Sequence, residues 1–135
     1  MTIYTGGTFD ILHIGHINFL NHCKKLGDVT VALNTDEFIE RYKGKKPLFS
    51  YEERKTHLLS IVSRVIPNDS EDSRPTILSV KPDVIAIGTD WAIKDYYKQM
   101  SFTQDWLDEQ NITLIYIPYY KHISSSEIKR RCSQL

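Results

Sequence analysis

The sequence predicts an α/β protein built on a doubly wound parallel sheet, and three observations carry that prediction. Short segments rich in β-branched and apolar residues alternate along the chain with segments of helical periodicity. The strand-like segments are near-continuous apolar runs, the pattern of strands covered on both faces. The most unusual stretches, "GGTFD", "GTDW" and "PYYKHISSS", each follow such a run, at the carboxyl end of a strand where sheets of this kind bind ligands.

Taken in order, Thr2 to Thr5 reads as a strand that Gly6 and Gly7 carry into a tight turn. A helix is expected from near His16, with Ile17, Leu20 and Cys23 at helical spacing, Lys24 and Lys25 in its last turn and Gly27 as its stop. Val29 to Leu33 is the second strand, completing a strand–helix–strand unit of the right-handed, parallel kind. A short helix from near Asp36 dissolves at "YKGKKP". Ser50 with Glu53 forms a capping box that opens a helix through about Arg64, its apolar face supplied by Leu58, Leu59, Ile61 and Val62. A brief strand at Val65-Ile66, a loop "PNDSEDSRP", a short helix at Thr76 to Val80 and a strand at Asp83 to Gly88 follow. The pattern is then helical from Ala92 to about Glu109, extended from Ile112 to Ile117, and helical again from about Ser125 to Cys132. The result is a Rossmann-like five-stranded sheet in a single domain spanning residues 1–135.

Composition narrows the function classes. With 41% hydrophobic and 25% charged residues the chain is that of a globular protein with one core. Seventeen basic residues balance seventeen acidic ones, so bulk charge points to neither a nucleic-acid nor a membrane-surface partner, and a small molecule is expected. Cys23 and Cys132 fit neither a disulfide framework nor a zinc motif, and the terminal "CSQL" lacks the aliphatic pair of a prenylation box. With no signal-peptide pattern or membrane-length apolar run, the expected location is cytoplasmic.

The first loop suits an anion. Gly6 and Gly7 let backbone approach a phosphate without a Cβ between, and the next helix offers unpaired N–H groups and the positive end of its dipole. His13 and His16, a helical turn apart with Gly15 between them, could each donate a hydrogen bond to one phosphate. Taken alone, the pair reads better as one helix cap and one satisfied core residue. Zinc is weaker still, because the metalloprotease pattern spaces its histidines four apart around a glutamate. At the other end, Ser124 and Glu127 repeat the capping pattern, so Ile123 to Ser126 should form the N-terminus of the last helix. Two helix starts at one sheet edge suit a triphosphate.

At these residues the chain resembles a known family. "GGTFDILHIGH" matches the G-x-F-D-x-x-H-x-G-H signature of the nucleotidyltransferase superfamily of cytidylyltransferases and related adenylyltransferases, and "ISSSEIK" is similar to its second signature. "LGD", "NTDEF", "SYEERK", "VIP" and "GTDW" resemble, in order and spacing, the small bacterial glycerol-3-phosphate cytidylyltransferases over nearly the whole chain. The resemblance implies CMP transfer from CTP to glycerol phosphate, with Mg²⁺ as cofactor, a homodimeric assembly, and no covalent enzyme intermediate.

Residue by residue, it implies that His13 and His16 bind the triphosphate and stabilise the transition state. Gly7, Thr8, Phe9 and Asp10 would shape the nucleotide loop together with Gly88, and Ile123, Ser124 and Ser125 would hold the β and γ phosphates. Lys43 and Lys45 match lysines that reach substrate and nucleotide phosphates, with Lys46 beside them. Asp90 would bind the cytidine end or help hold Mg²⁺, for which Asp10 is the other candidate ligand, and Trp91 would face substrate or belong to the core. Arg54 would serve the substrate or pair on a helix surface.

Three departures bear on the acceptor. Where the glycerol phosphate enzymes read "RTEGIST" this chain reads "YYKHISS", with Tyr119 for the arginine, His122 for the glycine and Lys121 as a replacement cation. "SIVSRVIP" lacks the usual arginine–tyrosine pair, leaving Arg64 to reach inward. "DYYKQMSFTQDWLDEQN" is longer than its counterpart. The alternatives are therefore an adenylyltransferase making FAD or activating a sugar phosphate, and a catalytically inactive nucleotide-binding module.

Overall fold

A computed structural model of the chain describes residues 1–88, 100–117 and 124–135. Eleven elements follow one another along these residues: β1 (Thr2–Gly7), α1 (Ile14–Leu26), β2 (Asp28–Asn34), α2 (Asp36–Lys43), α3 (Tyr51–Leu59), β3 (Arg64–Asn68), α4 (Arg74–Val80), β4 (Val84–Gly88), α5 (Gln104–Glu109), β5 (Thr113–Ile117) and α6 (Ser125–Cys132). The five strands form one parallel sheet in the order β3-β2-β1-β4-β5. Strand order reverses between β1 and β4, which opens a crevice above their carboxyl ends.

Period-two alternation sends neighbouring strand residues to opposite layers. Ile3, Val31, Leu33 and Val65 pack with Phe19, Leu20 and Cys23 of α1 and Leu58 of α3, while Tyr4, Ala32, Ile85 and Ile87 pack on the other face with Ile77 and Val80 of α4, Leu107 of α5 and Phe102 just before that helix. Burial on both faces explains why the strands read as unbroken apolar runs. The doubly wound Rossmann-like prediction holds.

Several boundaries differ, each for a physical reason. β1 runs through Gly6 and Gly7, which pair in register with Ala32 and Leu33, so the glycines are strand rather than turn. The turn falls instead on Phe9, whose φ of 47° is left-handed. A Cβ on Gly7 would stand 2.8 Å from the Phe9 ring, so glycine is needed there for side-chain room. α3 stops at Leu59 rather than near Arg64; Val62 keeps its place in the core from the connection, and Arg64 starts β3 exposed at the amino end of that strand, so it does not reach the ligand edge. β3 continues through Pro67 and Asn68, and an exposed proline is tolerated because β3 is an edge strand. Of the helix expected from Ala92 to Glu109, residues 92–99 lie outside the described residues; the rest is interrupted at Ser101 (φ 61°), and Thr103 caps α5 anew by accepting from the Trp106 N–H.

Candidate active site

The carboxyl edge of the sheet is organised by a buried arginine. Ser50 and Glu53 form the expected capping box at the start of α3, which places Arg54 in the first turn pointing into the protein. Its side chain is wholly buried. Nε donates to the Phe49 carbonyl at 3.0 Å, Nη1 to the carbonyls of Thr8 at 2.9 Å and Asn34 at 2.8 Å, and Nη2 to Asp36 Oδ1 at 2.6 Å. One guanidinium thus ties the ends of β1 and β2 to the starts of α2 and α3. Both roles expected for Arg54 are corrected by this: its donors are turned toward backbone and Asp36, so it neither reaches substrate nor pairs on a helix surface.

A row of side chains runs along the same edge. Asn68 Nδ2 donates to Asn34 Oδ1 at 3.0 Å, Asn34 Nδ2 donates to Thr8 Oγ1 at 3.1 Å, and Thr8 Oγ1 meets the Tyr42 hydroxyl at 3.1 Å. Thr8 thereby links the loop after β1 to β2 and α2. Tyr42 brings the last turn of α2 to it. Gly44, at φ 76°, caps α2 in the left-handed conformation, donating to the Glu40 carbonyl, and so leaves Lys43, Lys45 and Lys46 on an exposed turn. Lys43 Nζ lies 5.7 Å from the centre of the Tyr42 ring.

His13 is the N-cap of α1. Its Nδ1 accepts the Gly15 N–H at 3.0 Å, while its own N–H donates to His16 Nδ1 at 3.3 Å, a reciprocal cap in which both acceptors are imidazoles. The rings stack with centroids 3.9 Å apart, and Phe9 lies 5.1 Å from His16. Because Nδ1 of His13 accepts, its proton belongs on Nε2. That Nε2 is buried and has no hydrogen-bond partner among the described residues. Burial pushes His13 below the ordinary histidine range; burial, with His13 as the lesser cause, pushes His16 down to about 4, opposed by a hydrogen bond with the Ile11 backbone. At neutral pH both rings are neutral donors. The pair is a cap, and it also presents an unused buried donor of the kind an incoming anion would satisfy.

Asp10 holds a different place from the one expected of a metal ligand. Its Oδ1 accepts the Phe49 N–H and its Oδ2 the Leu48 N–H, both at 2.9 Å, and Lys129 Nζ of α6 lies 2.5 Å from Oδ2. A cation there would have to displace an ammonium, so Asp10 anchors loops and does not fit as a ligand of Mg²⁺. Among the described residues no group of three His, Cys, Asp or Glu is placed to hold a metal. Ser124 caps α6 by accepting the Glu127 N–H, and Ser125 Oγ donates to the Ile11 carbonyl at 3.2 Å. Both hydroxyls expected at the phosphates are thus engaged within the protein, and α6 offers an anion its first-turn backbone. Gly88 ends β4, buried and paired with Ile117. Asp90, Trp91, Tyr119, Lys121, His122 and Ile123 lie outside the described residues.

The cytidylyltransferase-like family profile matches residues 4–131. The chain belongs to the cytidylyltransferase-like family. It is 39% identical over 137 aligned positions to a glycerol-3-phosphate cytidylyltransferase of Bacillus subtilis (strain 168), covering 98% of each chain. It is also 38% identical over 106 positions to an FAD synthase of Archaeoglobus fulgidus, covering 77% of this chain and 70% of that one. Among solved structures, the lipopolysaccharide core biosynthesis protein of Thermoplasma volcanium GSS1 matches with a TM-score of 0.72 at 32% identity, covering 90% of this chain and 98% of that one. As a member of this family the chain is a nucleotidyltransferase. Among the described residues no helix is long and apolar enough to cross a membrane.

Sequence reasoning missed Asp36, Asn34, Asn68, Tyr42 and Lys129. Asp36 reads only as a helix start and Lys129 only as a basic residue near a helix C-terminus; a buried partner is what distinguishes each, and that is a tertiary fact.

Two outcomes follow for the site. Arg54→Met should lower the unfolding free energy in urea by ~3–5 kcal/mol, the cost of breaking a buried ion pair on one side, and Arg54→Lys should not restore it because an ammonium cannot fork to four acceptors. A loss below ~1 kcal/mol would contradict the clamp. An unfolded histidine titrates near ~6.5, whereas folded His16 titrates at about 4. On acidification the unfolded chain therefore takes up protons that the folded one refuses, so this contribution is full above ~6.5 and lost as pH falls toward about 4. The melting temperature should drop across that window, and less steeply in His16→Asn; identical profiles for the two proteins would contradict the assignment.

Proposed function

We propose that this nucleotidyltransferase transfers CMP from CTP to a small phosphorylated alcohol, glycerol 3-phosphate, releasing pyrophosphate and forming CDP-glycerol. The observation that carries the reading is the buried Nε2–H of His13, which its own cap leaves without a partner among the described residues, stacked on His16 at the carboxyl edge of β1. Glycerol 3-phosphate as acceptor is supported by the Bacillus subtilis glycerol-3-phosphate cytidylyltransferase, which this chain matches over 98% of each sequence.

On this reading an oxygen of the acceptor's phosphate attacks the α-phosphorus of CTP, forming a new P–O bond as the bond to the β-phosphate oxygen breaks. The electron pair leaves with pyrophosphate. His13, as a neutral donor, hydrogen-bonds an oxygen on which charge accumulates, and His16 does the same by giving up its bond to the Ile11 backbone; because the rings only donate they need not give up a proton. Lys43, Lys45 and Lys46 balance the charge of the acceptor's phosphate, and the first turn of α6 takes the outer phosphates. Mg²⁺ bound with the triphosphate would offset part of its charge, and Asp90 is the candidate residue left to hold it. A homodimer and a cytoplasmic location belong to the same proposal.

A second reading is adenylyl transfer to flavin mononucleotide, favoured by the FAD synthase relative. The two separate in one assay: the protein with CTP or ATP, glycerol 3-phosphate, flavin mononucleotide or a sugar phosphate, and pyrophosphatase, following phosphate release. CDP-glycerol formation with CTP is expected. Turnover with ATP and none with CTP would contradict the first reading. His13→Asn keeps a capping acceptor but removes the Nε2 donor, so it should melt near the wild type while turnover falls ~10²-fold or more; wild-type turnover would refute the donor role.

A further inference from the structure

The carboxylate of Asp10 joins three segments of the site. Asp10 itself follows the left-handed Phe9 in the histidine loop. Leu48 and Phe49, whose N–H groups it accepts, close the turn that carries Lys45 and Lys46. Lys129, which it also meets, stands one helical turn beyond Ser125 on the same face of α6, and Ser125 Oγ donates to the Ile11 carbonyl.

We propose that Lys129 is a positioning residue for nucleotidyl transfer, acting through Asp10 to tie the helix that takes the outer phosphates to the lysine turn that takes the acceptor. The inference rests on the reaction proposed above, and neither Lys129 nor its contact has a part in that mechanism.

The physical case concerns how a buried carboxylate stays charged. Asp10 is 5% exposed. A carboxylate taken out of water keeps its charge only when a cation and hydrogen-bond donors replace its hydration. Lys129 is the cation whose salt bridge to Asp10 is observed, and the two amides are the donors. Burial pushes the Asp10 carboxyl up, but Lys129 and the two amides outweigh it and hold it below the ordinary carboxylate range. An ionised acceptor bonds amides more strongly and at shorter range than a neutral acid does. Without Lys129, Asp10 either takes up a proton or turns toward water, and both weaken its hold on Leu48 and Phe49. The lysine turn then loses its fixed distance from the histidine loop, and misplacement on the ångström scale is costly for a reaction that depends on positioning. α6 keeps its second tie through Ser125, so the nucleotide side suffers less.

The test compares Lys129→Met and Lys129→Arg with the wild type by two measurements. In the first, amide hydrogen exchange of the full chain without added substrate, Leu48 and Phe49 should exchange about tenfold faster in Lys129→Met, the scale of one lost charge-assisted bond, and near the wild-type rate in Lys129→Arg. In the second, steady-state kinetics with CTP and glycerol 3-phosphate, Lys129→Met should raise the KM for glycerol 3-phosphate about tenfold or more while the KM for CTP moves by less than about threefold, with Lys129→Arg close to the wild type. Unchanged exchange at Leu48 and Phe49 overturns the proposal. Faster exchange with an unchanged acceptor KM also overturns it, because the contact is then only structural. A wild type that turns over none of the nucleotides and phosphates in the assay panel overturns the proposed reaction instead, and the exchange measurement still decides whether Lys129 holds the lysine turn.

Discussion

The site depends on a charge placed where water cannot reach it. Arg54 has no exposed surface, so each of its N–H groups must find an acceptor or cost the fold the full penalty of a buried, unpaired donor. The acceptors it finds are the carbonyls that end β1 and β2, the carbonyl before α3 and the carboxylate that opens α2. The carboxyl edges of two strands and the starts of two helices are thereby held at fixed separation, and the histidine loop, the lysine turn and the row from Asn68 to Tyr42 all hang from them. A hydrophobic core could hold the layers together without fixing these loops. A forked cation with directional donors can do both.

The histidine pair shows how one residue can satisfy two demands. As a cap, His13 gives α1 the acceptor that its first turn lacks, and His16 returns the favour to the His13 N–H. Using Nδ1 for the cap assigns the proton to Nε2 and aims it away from the helix. The same burial that keeps both rings neutral keeps that donor dry, where a hydrogen bond to a charged oxygen is worth more than in water. A cap and a phosphate donor are therefore not rival descriptions of His13, since the first sets the tautomer that the second needs.

Much of the fold was legible because it depends on local pattern. Alternating periods marked strands and helices, and Ser50 with Glu53 and Ser124 with Glu127 marked two helix starts that the structure reproduces to the residue. Errors arose where a residue's apolar character suited two backbones. Val62 is buried as expected, but from a connection rather than a helix, and Pro67 belongs to a strand because that strand lies at an edge. In the site, the histidines and the lysine turn could be found from motif and charge. The functions of Arg54 and Asp10 could not, because each depends on donors or acceptors brought from segments as far apart as residues 8, 34, 49 and 129. Types alone suggested substrate and metal contacts; the partners show that both residues hold loops in place.

On the proposed reading His13 is neutral, carries its proton on Nε2, and offers that proton to a nucleotide phosphate. Nitrogen-15 NMR of the histidine side chains at pH 7, with and without a non-hydrolysable CTP analogue, tests it most directly. A neutral His13 with a protonated Nε2 is expected in the free protein, with an Nε2–H resonance that moves to the position of a strong hydrogen bond when the analogue binds. A charged His13, a proton on Nδ1, or an Nε2–H resonance unmoved by bound nucleotide would contradict it.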